Sequence, residues 1–308
     1  MQTLANKVSS RYSRPVFSRT MKNSLTIFCA FLSLCSAGAA TFAKFVPERK
    51  DDFAWENDVV AFRTYGPALR SGAEDSGIDC WLKRTPNLII EKWYADNARG
   101  ISYHEDHGEG CDPYHVGSSR GCGGAALWND GKLVTSDTFK SWKILEQTPD
   151  TTTFELTYDY PAIDNLPPIR EVKKITITPG SNFFRAESTF TRDGKPVPNL
   201  PVAIGVTTHD GKAAASLDPA KRWVSCWETI EGDGLGTAAI LTPGQPIETR
   251  EIKSKDKDQS HALILTRTNP EGKILYFAGY GWARAGKIKS PDQWATTLNA
   301  FSDSLNKH

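Results

Sequence analysis

Three of the six histidines of this chain, His104, His107 and His115, fall within twelve residues, among Tyr103, Glu105, Asp106, Glu109, Asp112, Tyr114 and Arg120. Glycines at positions 108, 110, 117, 121, 123 and 124 interleave them, a composition suited to tight turns and close approach of a ligand rather than to core packing. Histidine exchanges protons near neutral pH, tyrosine does so when its environment is tuned, and arginine is a fixed cation for a carboxylate. His107, Tyr114, His115 and Arg120 place all three types in one short span, with His104 beside them. The plainer alternative is that Arg120 pairs with Glu109 or Asp112 only to hold the loop. A further histidine, His209, ends a strand-like run just before Asp210-Gly211, a place for a site residue or for a structural one.

His104, His107, Asp112 and His115 are also zinc-type donors, which makes a divalent metal near His104 and His107 a second reading. The spacing argues against it. His107 follows His104 by three with no helical pattern, so this is not the His-Glu-x-x-His arrangement, and no cofactor is expected. Upstream, Trp55, Arg63, Tyr65 and Asp79 mix aromatic rings with hydrogen-bonding and charged groups. Such mixtures suit a sugar ring, which offers apolar C–H faces and hydroxyl edges. Most of the nine tryptophans would still be core.

The elements that must hold these residues are mainly strands. Thr153 to Tyr158 alternates with period two. Val172–Thr178, the turn Pro179-Gly180-Ser181-Asn182 and Phe183–Phe190 read as strand, turn, strand. Val202–Thr208, His261–Thr268 and Lys273–Gly279 are further strands rich in β-branched and aromatic residues. One helix is clear: Ser290 caps it, Pro291 opens it, and Trp294, Leu298, Phe301 and Leu305 form one apolar stripe. The fold expected is a large antiparallel β-sandwich with a C-terminal helix.

Residues 1–43 carry five basic residues and no acid, with a short positive start at Met21-Lys22-Asn23 and an apolar run from Leu25 to Cys35. This reads as an export leader ending before Lys44, with Met21 as an alternative start. The run is too short to anchor the chain in a bilayer. Residues 44–308 are then one exported domain, periplasmic or secreted. With the leader removed the chain is net acidic, which excludes nucleic acid as the main partner. The leader also contains two of the six cysteines. In the remaining four, Cys111 with Cys122 would close a disulfide around the histidine segment; the alternative is four small buried thiols.

Several of these runs resemble one secreted family, DUF4861. They are Phe45 to Asp58, Ala61-Phe62-Arg63-x-Tyr65-Gly66-Pro67, Tyr103-His104-x-Asp106-His107-Gly108-Glu109-Gly110 and Val116-Gly117-x-x-Arg120-Gly121-Cys122-Gly123-Gly124. Ala278-Gly279-Tyr280-Gly281-Trp282 and Asp292-Gln293-Trp294 extend the likeness toward the C-terminus. The resemblance implies a sandwich of the galactose mutarotase kind and work on uronic-acid polysaccharides such as ulvan or pectin, including dehydration of oligosaccharides with a terminal uronic acid. Removing water across C4–C5 of a uronic acid needs a cation on the carboxylate, a base for the C5 proton and an acid for the departing hydroxyl. The assignment that follows gives Arg120 or Arg63 the carboxylate and His107 and Tyr114 the base and acid. His104, His115 and His209 stand in reserve, Glu109 and Asp112 orient the imidazoles, and Trp55, Tyr65 and Asp79 contact the sugar. Competing expectations are a polysaccharide lyase, a glycoside hydrolase using Glu109 with Asp79 or Glu56, and a carbohydrate-binding protein without chemistry.

Overall fold

Alternating side chains decide the architecture. In the computed structural model, which describes residues 40–162 and 166–307, nineteen strands form three antiparallel sheets. The first sheet joins β1 (Phe42–Val46), β2 (Asp52–Glu56), β3 (Ala61–Thr64), β4 (Asp79–Lys83) and β5 (Gly110–Cys111) in sequence order. Helix α1 (Ile90–Ala98) covers its outer side. Next come β6 (Cys122–Asn129), β7 (Lys132–Val134), β8 (Ser141–Gln147), β9 (Thr152–Tyr160), β10 (Ile169–Ile177) and β11 (Phe183–Arg192). They are followed by β12 (Lys195–Pro196), β13 (Pro201–Thr207), β14 (Ala214–Asp218), β15 (Trp223–Ile230), β16 (Asp233–Leu241), β17 (Glu248–Ile252), β18 (His261–Arg267) and β19 (Lys273–Trp282), and then by α2 (Pro291–Leu305). The largest sheet runs β14-β15-β16-β19-β11-β10-β9-β8, with β12 paired to β11. The third runs β17-β18-β13-β6-β7.

The large sheet packs one face against both smaller sheets. Phe154, Leu156, Tyr158 and Tyr160 of β9 alternate inward toward Phe53, Trp55 and Phe62 of the first sheet and toward Leu127, Val202 and Ile204 of the third. This is the expected β-sandwich, and α2 is the expected C-terminal helix. Ser290 Oγ accepts from Gln293 N at 3.2 Å, while Trp294 and Leu298 pack on Phe183, Trp223 and Ile240 of the large sheet's other face.

A buried phenol helps to tie the first sheet to the large one. Tyr280 of β19 donates to Trp81 O at 2.5 Å and accepts from Ala61 N at 3.2 Å, so its hydroxyl bridges β3 and β4. Helix α1 has no local N-cap. Instead Glu56 reaches from the end of β2 to accept from Ile89 N and Ile90 N at 2.8 and 2.9 Å, and is itself held by Lys83 Nζ at 2.8 Å. A carboxylate at a helix N-terminus also meets the positive end of the helix dipole.

Most of the expected leader lies outside the described residues. Its boundary after Ala43 falls inside β1: Phe42 pairs with Glu56, Ala43 with Trp55, and Thr41 Oγ1 donates to Thr148 O at 2.8 Å. Cys80, Cys111, Cys122 and Cys226 are all buried and unbridged, so the small-thiol alternative describes them and the Cys111–Cys122 disulfide is not formed.

Candidate functional site

One end of the first sheet gathers an unusual density of charge. Arg63 on β3 donates to Asp79 Oδ2 on β4 at 2.5 Å and to Asp112 Oδ2 at 3.0 Å, and lies 3.6 Å from Asp52 Oδ2 on β2. Its other amino group donates to Tyr103 Oη at 3.3 Å, and its guanidinium lies over the rings of Trp81 and Tyr103. The strand register makes this meeting: Arg63 stands opposite Asp79, and β2 brings Asp52 in from the far side. Three carboxyls around one interior arginine leave an excess of negative charge. Burial pushes Asp52 up to about 6, against the pull of Arg63. Burial also raises Asp79, and burial with the charge of Asp79 holds Asp112 well above the usual carboxylate range. Burial thus favours the protonated form of all three carboxyls, against the pull of Arg63.

His104 sits at the surface of this cluster. Its Nδ1 lies 2.7 Å from Asp112 O and 3.7 Å from Asp112 Oδ2, its ring is 4.6 Å from that of Tyr103, and its side chain is 58% exposed. A carbonyl oxygen only accepts, so Nδ1 carries the hydrogen and the lone pair of Nε2 faces outward. On the other side of Tyr103, at its hydroxyl, Arg49 donates Nε to Oη at 3.1 Å; among the described residues its guanidinium makes no other hydrogen bond. Tyr103 thus joins a half-buried cation, Arg49, to a sealed one, Arg63.

The other histidines are placed differently. His107 Nε2 bonds Ser102 O at 3.0 Å on the exposed loop, beside a crevice of only about 10 Å³. His115 is 54% exposed, with Nε2 2.9 Å from Asp258 Oδ1, an imidazole oriented by a carboxylate. His209 is not free to react. Its Nδ1 meets Glu228 at 2.8 Å and its Nε2 meets His115 O at 2.8 Å, so both nitrogens are spent positioning the segment that carries His115.

Several expected site residues are structural. Trp55 is buried against Phe62, Phe154 and Phe184 and cannot meet a sugar. Arg120 is fully buried: it donates to Asp75, to Ser76 Oγ at 2.9 Å and to Ala125 O at 3.1 Å, which leaves it no role as the carboxylate anchor. Its expected partners Glu109 and Asp112 lie elsewhere, for Asp75 takes that place. Arg63 is likewise neutralised from within. Tyr114 is buried, and burial raises its phenol well above the ordinary value, which disfavours it as a base; Tyr65, expected to contact the sugar, is buried as well. Glu109 accepts from Lys92 Nζ at 2.7 Å and Trp93 Nε1 at 3.3 Å instead of orienting an imidazole. Asp79 and Glu56 are sealed inside, so neither can flank a glycosidic bond with Glu109 as the hydrolase reading needs. Asp112 does orient an imidazole, that of His104, through its backbone carbonyl. Among the described residues no three His, Cys, Asp or Glu side chains converge to hold a metal ion.

Sequence reasoning gave no role to Arg49, Asp52, Asp75, Glu228 and Asp258, and named Tyr103 without assigning it one. Arg49 and Asp52 flank the β1–β2 turn some fifty residues before His104, and only strand pairing brings them to it. A larger hollow, about 920 Å³, lies elsewhere, walled by Arg70, Asp75, Ser118, Tyr160 and Arg170, with Arg120 bonded beneath it to Asp75 and to Ser118 O.

The family model described as "Domain of unknown function (DUF4861)" matches residues 2–308. The chain belongs to the DUF4861 family. Another protein similar to it is an uncharacterized protein, P7, of Formosa agariphila, 37% identical over 276 residues, which cover 86% of this chain and 68% of that one. Among solved structures, the alpha-galactosidase from Lactobacillus brevis aligns with a TM-score of 0.36 at 10% identity, over 77% of this DUF4861 chain and 40% of the galactosidase. The chain thus spans about two-fifths of the length of that structure.

Proposed function

We propose that this DUF4861 protein is an exported carbohydrate-active enzyme that eliminates water at a terminal uronic acid of an acidic oligosaccharide, as from ulvan or pectin. The observation that carries the reading is His104. Its Nδ1 is fixed by Asp112 O at 2.7 Å, its Nε2 is presented to solvent, and the raised carboxyl of Asp112 lies behind it. Arg49, with the edge of its guanidinium free beside Tyr103, is the cation for the substrate carboxylate, in place of Arg120 and Arg63.

In this scheme the carboxylate lies on Arg49, which stabilises the charge that develops as C5 loses its proton. His104 Nε2 takes that proton, and Asp112 steadies the imidazolium through Nδ1. The C4–C5 double bond forms as C4–O4 breaks, and the departing hydroxyl leaves as water with the proton His104 returns. Atoms and charge balance without a co-reactant. A lyase differs only in expelling a sugar from C4 instead of water.

The test is incubation of the protein with oligosaccharides ending in a saturated uronic acid, followed by ultraviolet absorbance and mass spectrometry. The expected result is a conjugated unsaturated uronate with loss of one water per chain, formed far more slowly by His104→Ala. Shortened chains with unsaturated ends would replace the dehydratase by a lyase. Unchanged substrate mass across acidic oligosaccharides would remove the enzymatic reading.

A further inference from the structure

A second pocket lies at the opposite end of the first sheet from Arg63, where β4 meets β19. It encloses about 200 Å³ and is lined by Asp58, Lys83, Arg84, Asn182, Trp282 and Lys287, together with apolar Pro86 and Ile288. This is smaller than the roughly 300–1,000 Å³ of a drug-sized ligand and suits a single ring or a compact anion.

Of two buried donors on its wall, one is unpartnered and the other is ion-paired with Glu56. Trp282 is 2% exposed, and its Nε1–H has no acceptor among the described residues. Lys83 is fully buried and donates to Glu56 Oε2 at 2.8 Å and Asn57 O at 2.7 Å, two of its three N–H bonds. Buried donors without partners are rare in native proteins. At the mouth, Lys287 is exposed, and Arg84 spends Nε and Nη2 on Asp106, leaving Nη1. The one carboxylate on the wall, Asp58, accepts from Gly180 N at 2.6 Å. The exposed ammonium of Lys287, the remaining Nη1 of Arg84 and the unpartnered Trp282 N–H therefore line a cavity that also has apolar walls.

We propose that this pocket binds the acidic group of a sugar, a carboxylate or a sulfate ester, with the ring against Pro86 and Ile288. The sugar part of the proposal rests on the function argued above; the preference for an anion does not. The four residue steps from Asp52 to Glu56 along β2 separate the pocket from the Arg63 end by about 13 Å, so it is a subsite remote from the reacting ring.

The experiment is calorimetric titration of the full chain carrying Arg49→Ala, which removes the other proposed carboxylate site. The probes are glucuronate, glucose 6-sulfate, glucose and inorganic sulfate. Both acidic sugars should bind and glucose should not. Lys287→Glu, at an exposed position, should weaken binding at least about tenfold, and Trp282→Phe should weaken it as well. Acidic sugars binding no better than glucose, or unaffected by Lys287→Glu, overturn the proposal. Inorganic sulfate binding as tightly as glucose 6-sulfate overturns the sugar part. If glucuronate binds through Lys287 while no oligosaccharide is dehydrated, the function falls and the pocket stands.

Discussion

Arg120 donates its backbone N–H to Nε2 of the buried His261 ring at 3.0 Å. The acceptor must be unprotonated, so the imidazole is neutral. Burial first, and the charge of Arg120 second, push its pKa down to about 4. Between about 4 and about 6.5 the unfolded chain therefore binds a proton that the native state refuses. Stability from this group is complete above that window and is lost as pH falls through it, by about 3 kcal/mol in all. Urea unfolding at pH 4.5 and pH 7 should show this loss, and His261→Gln, which keeps an acceptor for Arg120, should reduce it.

Asp52 works in the opposite direction. Burial raises it to about 6, so the native state holds a proton that the unfolded chain has released above about 4. Its stabilisation is full at low pH and declines as pH rises through 6, again by about 3 kcal/mol. In Asp52→Asn the decline between pH 4 and pH 7.5 should shrink by that amount. An unchanged slope would mean that Asp79 and Asp112 hold the shared proton instead.

The two neighbouring histidines of the loop should separate in activity. His104→Ala should lower the elimination rate by about 10² to 10⁴-fold, the usual range for a lost general base. His107→Ala should stay within a few-fold, because its ring only bonds Ser102 O on the exposed loop. Steady-state kinetics on an oligouronide decide this, and equal losses would argue for His107 as the base.

Gly117 has φ +53°, and a Cβ there would lie 2.0 Å from Asp258 Oδ2 and 3.1 Å from His115 Nε2. Gly117→Ala should break the His115–Asp258 pair and cost about 1–2 kcal/mol for the left-handed backbone alone. Thermal unfolding measures the cost, and the His115 ring resonances by NMR measure the loss of its partner.

If the chain is exported and processed, its first residue should be at or before Thr41. Cleavage after Ala43 would remove the Thr41 bond to Thr148 and the pairs Phe42–Glu56 and Ala43–Trp55. Mass spectrometry of the secreted protein reads this directly. A start at Lys44 would show that the fold tolerates a shortened β1.

What could be read from the sequence was whatever is encoded locally. β9, β10 and β11 show their period two, and α2 has its cap and stripe in adjacent residues. Helix α1 escaped notice although Ile90, Trp93 and Tyr94 form a stripe, because its cap is Glu56, thirty-three residues upstream. The site failed in the same way. Arg63, Arg120 and Asp112 were recognisable as residues able to do chemistry. Whether an arginine meets a substrate or an internal carboxylate depends on strand register, and register placed Asp79 and Asp52 against Arg63. Arg49 and Asp258, which flank His104 and His115, lie far from them in the chain and carry no local mark.

The phenol of Tyr280 has a mechanical consequence. Because one hydroxyl grips both β3 and β4, the small sheet cannot glide over the large one without breaking two buried bonds together. The wall that carries Lys83 is thereby bonded to the wall that carries Trp282, for Lys83 N also donates to the Tyr280 hydroxyl at 3.4 Å. Adjustment around a guest then falls to the rim near Arg84 and Lys287, and Tyr280→Phe should loosen the join between the two sheets.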